Sequence, residues 1–413
     1  MSRASTSERS IIFFVGAVQF VNVLDFMMVM PLGPDFAKGL GIDPTHLGYI
    51  GGSYTAAAAV SGLLGSLFLE NFDRRKALGL AMLGLVIGTA LGGMAWDLPS
   101  LIAARVVAGA FGGPATSLAL AIIADRVPPE RRGRAMGAVM SAFAVASTLG
   151  VPAGLELARI GGWRMPFFAV AGLGLVVAGF GIRQLPPMTT HLERPVDYAQ
   201  TPWSSLFTRP VMLLAYLVAV LLFMSSFLLI PNISPYVQLN LHFPRNDLGK
   251  MYLAGGAVSF LVTRLAGRLI DRYGPFLVAT FGCLMAVAVI WAGFGSAPPI
   301  LPVWAIFVLF FTAMGFRNVP INTLMTLVPA PHERARFMSL SSAVQHMAAA
   351  CGAFLSSEVL VALPDKSLHG MQTLALLSMT LTLTLPVALW FVWQQVQANR
   401  DAIARAAAAG PNR

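Results

Sequence analysis

Apolar residues run in long blocks from one end of the chain to the other, interrupted by short segments rich in charge, proline or glycine. The blocks fall at 11–34, 46–69, 77–97, 99–124, 135–158, 163–185, 210–236, 247–270, 275–296, 300–328, 337–361 and 370–393. Each is long enough to cross a hydrocarbon core of ~30 Å as a helix. Within lipid every backbone N–H and C=O must be paired inside the segment, which makes these runs helices. The strand-like alternation of an outer-membrane barrel is absent. The pattern predicts an all-α membrane protein with twelve spans and both termini on one face.

Composition supports that reading: 56% of the 413 residues are hydrophobic and 11% are charged, against about 25% charged in a soluble domain. The net charge of +10 raises the question of nucleic-acid binding, and its distribution answers it. Twenty of the 28 Lys and Arg residues lie on segments facing the same side as the N-terminus, and six lie on the opposite side. Only Arg105 and Arg317 fall well within spans. This is the positive-inside bias of a polytopic protein, with cytoplasmic termini and no nucleic-acid partner implied. Cys283 and Cys351 sit inside apolar runs and read as buried, inert thiols.

Residues 186–209 form the longest polar interruption and split the chain six spans from six. The expected organisation is a bundle over 1–185, a linker at 186–209, a second bundle over 210–394 and a tail at 395–413. The two halves also resemble each other. Gly267-Arg268-Leu269-Ile270-Asp271-Arg272-Tyr273-Gly274, shifted back by 201 positions, falls on Ser66 to Asp73 at the equivalent junction. Pro31 and Pro34 are echoed by Pro231 and Pro235, and Val127 to Arg131 by Val328 to Arg334 with two inserted residues. Such correspondence is what parallel repeats about a membrane-normal axis leave behind, with ligand sites between the halves near the midplane.

These residues, taken in order, resemble the major facilitator superfamily over nearly the whole chain, and within it the twelve-helix drug:proton antiporters, including sugar-efflux-like members. The 267–274 segment is similar to the family loop pattern G-x-x-x-D-R-x-G-R-R/K. The first-half copy departs from it at Ser66, Glu70, Asn71 and Asp73 but keeps Arg74, Arg75 and Lys76. Arg105 with Gly109 resembles the fourth-span R-x-x-x-G element, and Gly150-Val151-Pro152-Ala153-Gly154 the glycine–proline motif of antiporters. Gly162 to Phe167 is similar to a common entry to span six, and Leu24-Asp25 with Pro31 to the acidic first-span motif. The resemblance implies two pseudo-symmetric six-helix bundles, cytoplasmic termini and export driven by protons.

Asp25 is the carboxylate deep within a span, where a charge costs at least ~2.5–3.5 kcal/mol. Desolvation disfavours its ionised form, as a proton-binding group requires. Arg105 lies at nearly the same depth, roughly 9 Å against 13 Å from the outer helix ends at 1.5 Å per residue. The two are expected to pair, either permanently or as a proton-operated switch. Arg317 has Ser226, not a carboxylate, 201 positions from Asp25. That suggests contact with an anionic substrate group, or with Asp25 or a backbone carbonyl. His346 reads as a hydrogen-bonded packing residue or a second titrating site.

Asn22, Phe26, Asn232, Asn318 and Asn322 are candidates for lining a substrate path, or for bonding one another across helices. Glu70, Arg74, Asp271, Arg272, Glu130 and Glu333 are loop charges expected to latch helices on the cytoplasmic side. Gly150, Pro152 and Gly154 are expected to kink span five against the helix of Arg105. No metal-ligand cluster, nucleophile–base pair or cofactor motif is present in the sequence, so an enzyme is not expected. The leading expectation is a monomeric bacterial inner-membrane exporter of small, partly apolar compounds, neutral or anionic, with the proton as coupling ion and no cofactor. Symport of a small organic anion is the alternative, followed by a non-transporting sensor or assembly factor.

Overall fold

The computed structural model describes residues 8–69, 72–128, 145–186, 188–189, 205–329 and 333–408, with residues 131, 135, 138, 139 and 142. The first half comprises α1 (Glu8–Val29), α2 (Gly33–Leu40), α3 (Leu47–Phe68), α4 (Arg74–Gly93), α5 (Leu98–Arg126), α6 (Val151–Gly161) and α7 (Met165–Gln184). The second comprises α8 (Pro210–Phe227), α9 (Ile230–Leu239), α10 (Arg245–Tyr273), α11 (Pro275–Ile290), α12 (Val303–Met325), α13 (Arg334–Val359) and α14 (Met371–Ala408). A two-residue antiparallel hairpin, β1 (Val361–Ala362) with β2 (Leu368–His369), joins α13 to α14. Among the described residues, eight helical stretches are long and apolar enough to cross a membrane. Helices α3, α7 and α13 lie at three of the other expected runs, and α6 covers the end of the run at 135–158.

Large apolar side chains cover the outside as well as the core. Leu80, Leu83, Ile87 and Leu91 are exposed along α4, and Leu277, Phe281 and Leu284 along α11. Their spacing of three and four residues makes a continuous helical stripe, a surface that only lipid covers without cost. Cys351, expected to be buried, lies on such a stripe: it is exposed one turn after exposed Met347.

Two expected spans are broken. The run at 11–34 divides into α1 and α2 around Pro31, and the run at 210–236 divides into α8 and α9 beside Pro231. Proline lacks the N–H that would continue the ladder, and its ring clashes with the preceding turn, so both helices stop and restart. The interruptions occupy matching places in the two halves. Helix α14 extends beyond its expected end through Gln394 to Ala408, a stretch rich in the good helix formers Gln, Arg and Ala.

Call the face that α1 reaches at Val29 distal and the one it starts from proximal. Among the described residues, interactions between the halves concentrate distally. Arg245 at the start of α10 makes a bidentate bond with Asp35 of α2, at 2.8 and 3.1 Å, and reaches Leu155 O. Ser234 donates to Pro31 O at 2.8 Å, and Tyr49 donates to Glu358. Gly48 of α3 lies so close to the Ala353 backbone of α13 that a side chain there would collide with it. Gly256 of α10 meets Thr148 in the same way. The ion pairs seen at the proximal face each stay within one half: Arg131–Glu8, Arg74–Asp125 and Arg209–Glu333.

Asp35 and Arg245 are about a quarter exposed. Removing one charge is expected to cost about 1 kcal/mol of distal closure, near a fivefold change in population. Asp35→Asn should therefore speed labelling of a cysteine placed at Ser234 by an impermeant thiol reagent several-fold.

Candidate functional site

The centre of the first half is built around Asp25, on the face of α1 turned toward α4 and α5 and fully buried. Arg105 reaches it from α5, whose start is capped by Asp97 in a reciprocal box with Ser100. Hydrogen bonds with Ser100 hold the Asp97 carboxyl below the usual carboxylate range. Arg105 Nη1 donates to both carboxylate oxygens of Asp25 at 3.0 and 3.1 Å, and Nη2 donates to the Asp25 backbone oxygen at 3.3 Å. The ion pair expected from helix depth is present, at 1% and 0% side-chain exposure. In so dry a place the Coulomb gain must offset several kcal/mol of desolvation per ion, which requires the additional hydrogen bonds seen here.

Two further residues complete the site. Thr89 Oγ1 of α4 lies 2.7 Å from Asp25 Oδ1 and 2.8 Å from Leu85 O of its own helix. Tyr54 of α3 lies under the guanidinium, with its ring centre 4.5 Å from the Arg105 carbon. Its hydroxyl donates to Asn22 Oδ1 at 2.7 Å, while Asn22 Nδ2 donates to Gly112 O at 3.1 Å and Thr116 Oγ1 at 2.6 Å. Asn22 is therefore engaged on both ends as a brace between α1, α3 and α5. Sequence reasoning missed Thr89 and Tyr54. A signal for Thr89 existed: it is the sole polar side chain of α4 after Lys76.

From Tyr54 a row of rings crosses between the halves. Phe26 stacks on Tyr54 with centroids 5.3 Å apart, Phe227 of α8 stacks on Phe26 at 5.9 Å, and Phe223 follows at 6.5 Å. Met30 and Ala349 close around the joint. The Asp25–Arg105 pair is thereby linked through packed aromatic faces to the second half.

Arg317 of α12 is equally buried but has different company. Its Nη2 donates to Ser226 Oγ at 2.5 Å, its Nη1 to Thr382 Oγ1 at 3.3 Å and Ser225 Oγ at 3.5 Å, and its Nε to Asn318 Oδ1 at 3.3 Å. Among the described residues no carboxylate pairs with it. Ser226 stands 201 positions after Asp25, so the arginine–carboxylate contact of one half is matched by an arginine–hydroxyl contact in the other.

The remaining candidates disperse. His346 Nδ1 lies 2.8 Å from Ser342 O in its own helix and shares no hydrogen bond with Arg317. Asn232 is buried at the start of α9, and its Oδ1 has no partner among the described residues. Asn322 is exposed. Arg74 pairs with Asp125, joining α4 to α5, and Glu333 with Arg209; Asp271 and Arg272 are exposed at the end of α10. Glu70 and Glu130 lie outside the described residues.

Gly150 ends a π-helical turn, Ala146–Gly150, that leads into α6 with Pro152 near its start. Among the described residues, this turn packs against α1 and α10. The reason is the close contact of Leu24 with Gly150 and of Thr148 with Gly256. Asp73, where the family loop pattern has glycine, caps α4 by accepting from Arg75 N at 2.9 Å and also accepts from Met188 N at 3.1 Å.

The family model described as Major Facilitator Superfamily matches residues 15–353. A chloramphenicol resistance protein of Streptomyces lividans is 29% identical over 278 residues, covering 66% of this chain and 69% of that one. The fold is similar to that of a bacterial homologue of the human lysosomal transporter Spinster in an inward-facing, occupied conformation. The TM-score is 0.74 at 16% identity, covering 95% of this chain and 98% of the other. A D-xylose–proton symporter gives a TM-score of 0.73 at 17% identity, covering 91% and 97%.

Proposed function

Because the chain belongs to the major facilitator superfamily and is a transporter rather than an enzyme, we propose that it exports small, partly apolar compounds in exchange for protons. Twelve spans would form two bundles that rock about a central site, with both termini in the cytoplasm of a bacterium and the inner membrane as location. Support for export comes from the chloramphenicol-resistance relative. Support for proton coupling comes from one observation, a fully buried carboxylate whose ionised form is held by Arg105 and Thr89. A proton arriving at Asp25 cancels the charge that Arg105 is paired with and loosens α1 from α5. The aromatic row from Tyr54 through Phe26 to Phe227 carries that change to the interface between halves. An apolar substrate would enter at the same interface, so substrate and proton favour alternate states. Each charge moved across the membrane exchanges about 2.3 kcal/mol per 100 mV with the potential, enough to drive the cycle.

Chloramphenicol is the first compound to test. Purified protein is expected to release protons when it binds a transported compound, and Asp25→Asn is expected to bind without release. Release retained in that variant would remove the proton assignment. In vesicles under an imposed pH gradient, the direction of movement distinguishes exchange from symport.

One observation favours the second reading, symport of a small organic anion: Arg317 is a buried cation surrounded by neutral partners. A charge-assisted bond to an anionic group is worth about 1.5–3 kcal/mol. Arg317→Gln should then reduce preference for charged over neutral analogues of a ligand about tenfold or more. Unchanged preference would leave export of neutral compounds standing alone.

A further inference from the structure

Thr89 presents a valence problem. A hydroxyl carries one hydrogen, yet Thr89 Oγ1 lies 2.7 Å from Asp25 Oδ1 and 2.8 Å from Leu85 O, both acceptors while Asp25 is ionised. The one hydrogen makes a full-strength bond to only one of them at a time. The side chain is 1% exposed, so water does not resolve the conflict.

We propose that the Thr89 hydroxyl is a two-position rotor set by the protonation state of Asp25, and that it positions the transported proton on Oδ1. This rests on the reading of Asp25 as the proton site. With Asp25 ionised, the Thr89 hydrogen points to Oδ1, because a charged acceptor outbids a neutral carbonyl. When a proton binds Oδ1, the new O–H donates to Thr89 Oγ1. The Thr89 hydrogen then turns about its C–O bond onto Leu85 O, the ordinary back-bond of a helical threonine. The one covalent bond formed is the O–H, the turn itself needs only rotation about the Thr89 C–O bond, and release reverses the sequence.

Both states leave every oxygen of the pair satisfied, and this avoids the cost of about 1–3 kcal/mol for a buried unpaired polar group. Arg105 Nη1 donates to Oδ2 at 3.0 Å and to Oδ1 at 3.1 Å, whereas Thr89 contacts Oδ1 alone. The ionisable groups around the carboxylate are Arg105 from α5 and, beyond its guanidinium, Tyr54 from α3; α4 contributes only Thr89. Thr89 is therefore the neutral group placed to decide which oxygen is protonated.

The test is an infrared difference titration of the full-length protein in lipid vesicles, following the carbonyl band of the protonated carboxyl. Asp25→Asn identifies the band. Thr89→Val keeps shape and removes the hydroxyl. It takes more from the ionised form than from the neutral one, so the proton should bind about tenfold more tightly, moving the midpoint up by about one pH unit. The carbonyl band should also rise in frequency, because the acid O–H has lost its acceptor. Thr89→Ser should restore both, which a role limited to packing would not predict.

Midpoint and band unchanged in Thr89→Val, with the band absent in Asp25→Asn, would overturn the rotor alone. A band that survives Asp25→Asn would overturn the proton site and the rotor with it.

Discussion

Arg105→Gln is expected to destabilise the protein by about 3–5 kcal/mol near neutral pH, because it strands a fully buried carboxylate whose remaining side-chain partner is Thr89. Thermal unfolding of the purified protein in detergent measures the loss. Two companion results identify its cause. The deficit should shrink as pH falls, since protonation of Asp25 removes the unpaired charge. The double variant with Asp25→Asn should recover most of the stability, because both charges are gone and two amides of similar shape occupy their places. The double-mutant cycle then gives the coupling directly. A loss under 1 kcal/mol, or a double variant no better than Arg105→Gln, would mean that the pair is not what holds α1 against α5.

Gly256→Leu is expected to stop turnover while leaving the protein folded. The backbone of Thr148 stands where a side chain at 256 would go, and the opposing atom is a Cα that cannot swing aside. Close packing cannot absorb four added carbons, so the cost falls on the approach of the two halves. Transport should drop by at least tenfold, and a cysteine at Ser234, in a background without Cys283 and Cys351, should become permanently reactive from the distal side. Gly48→Leu, against the Ala353 backbone in the other cross-half helix pair, should behave likewise. Normal transport by either variant would show that the distal contact is not part of the cycle.

The helical architecture was legible because bilayer thickness imposes a length on each apolar run, and the helix breaks at Pro31 and Pro231 because proline cannot continue the ladder. The pairing of Asp25 with Arg105 followed from counting helical rise. What the sequence concealed is mostly tertiary. Thr89 reads as an ordinary helical threonine bonded to its own backbone, and only the arrival of α1 gives it a second acceptor. Tyr54 lies in a run of small residues with nothing to show that a guanidinium covers it. Asp35 and Arg245 are 210 positions apart and read as unrelated loop charges, since hydropathy says nothing about which loops of the two halves meet. Asn22, which could have lined a substrate path or bonded across helices, is occupied at both ends by internal bonds.

The matched places in the two halves hold charges of different kinds. A hydrogen ion landing beside Arg105 can erase the negative member of that pair, whereas the hydroxyls around Arg317 have no charge to surrender. On the proposed mechanism, a cargo between the bundles would pass one wall whose electrical character can be toggled and another with a standing positive bias. For a charged cargo, the fixed wall would then decide which sign is welcome, and the toggled wall when.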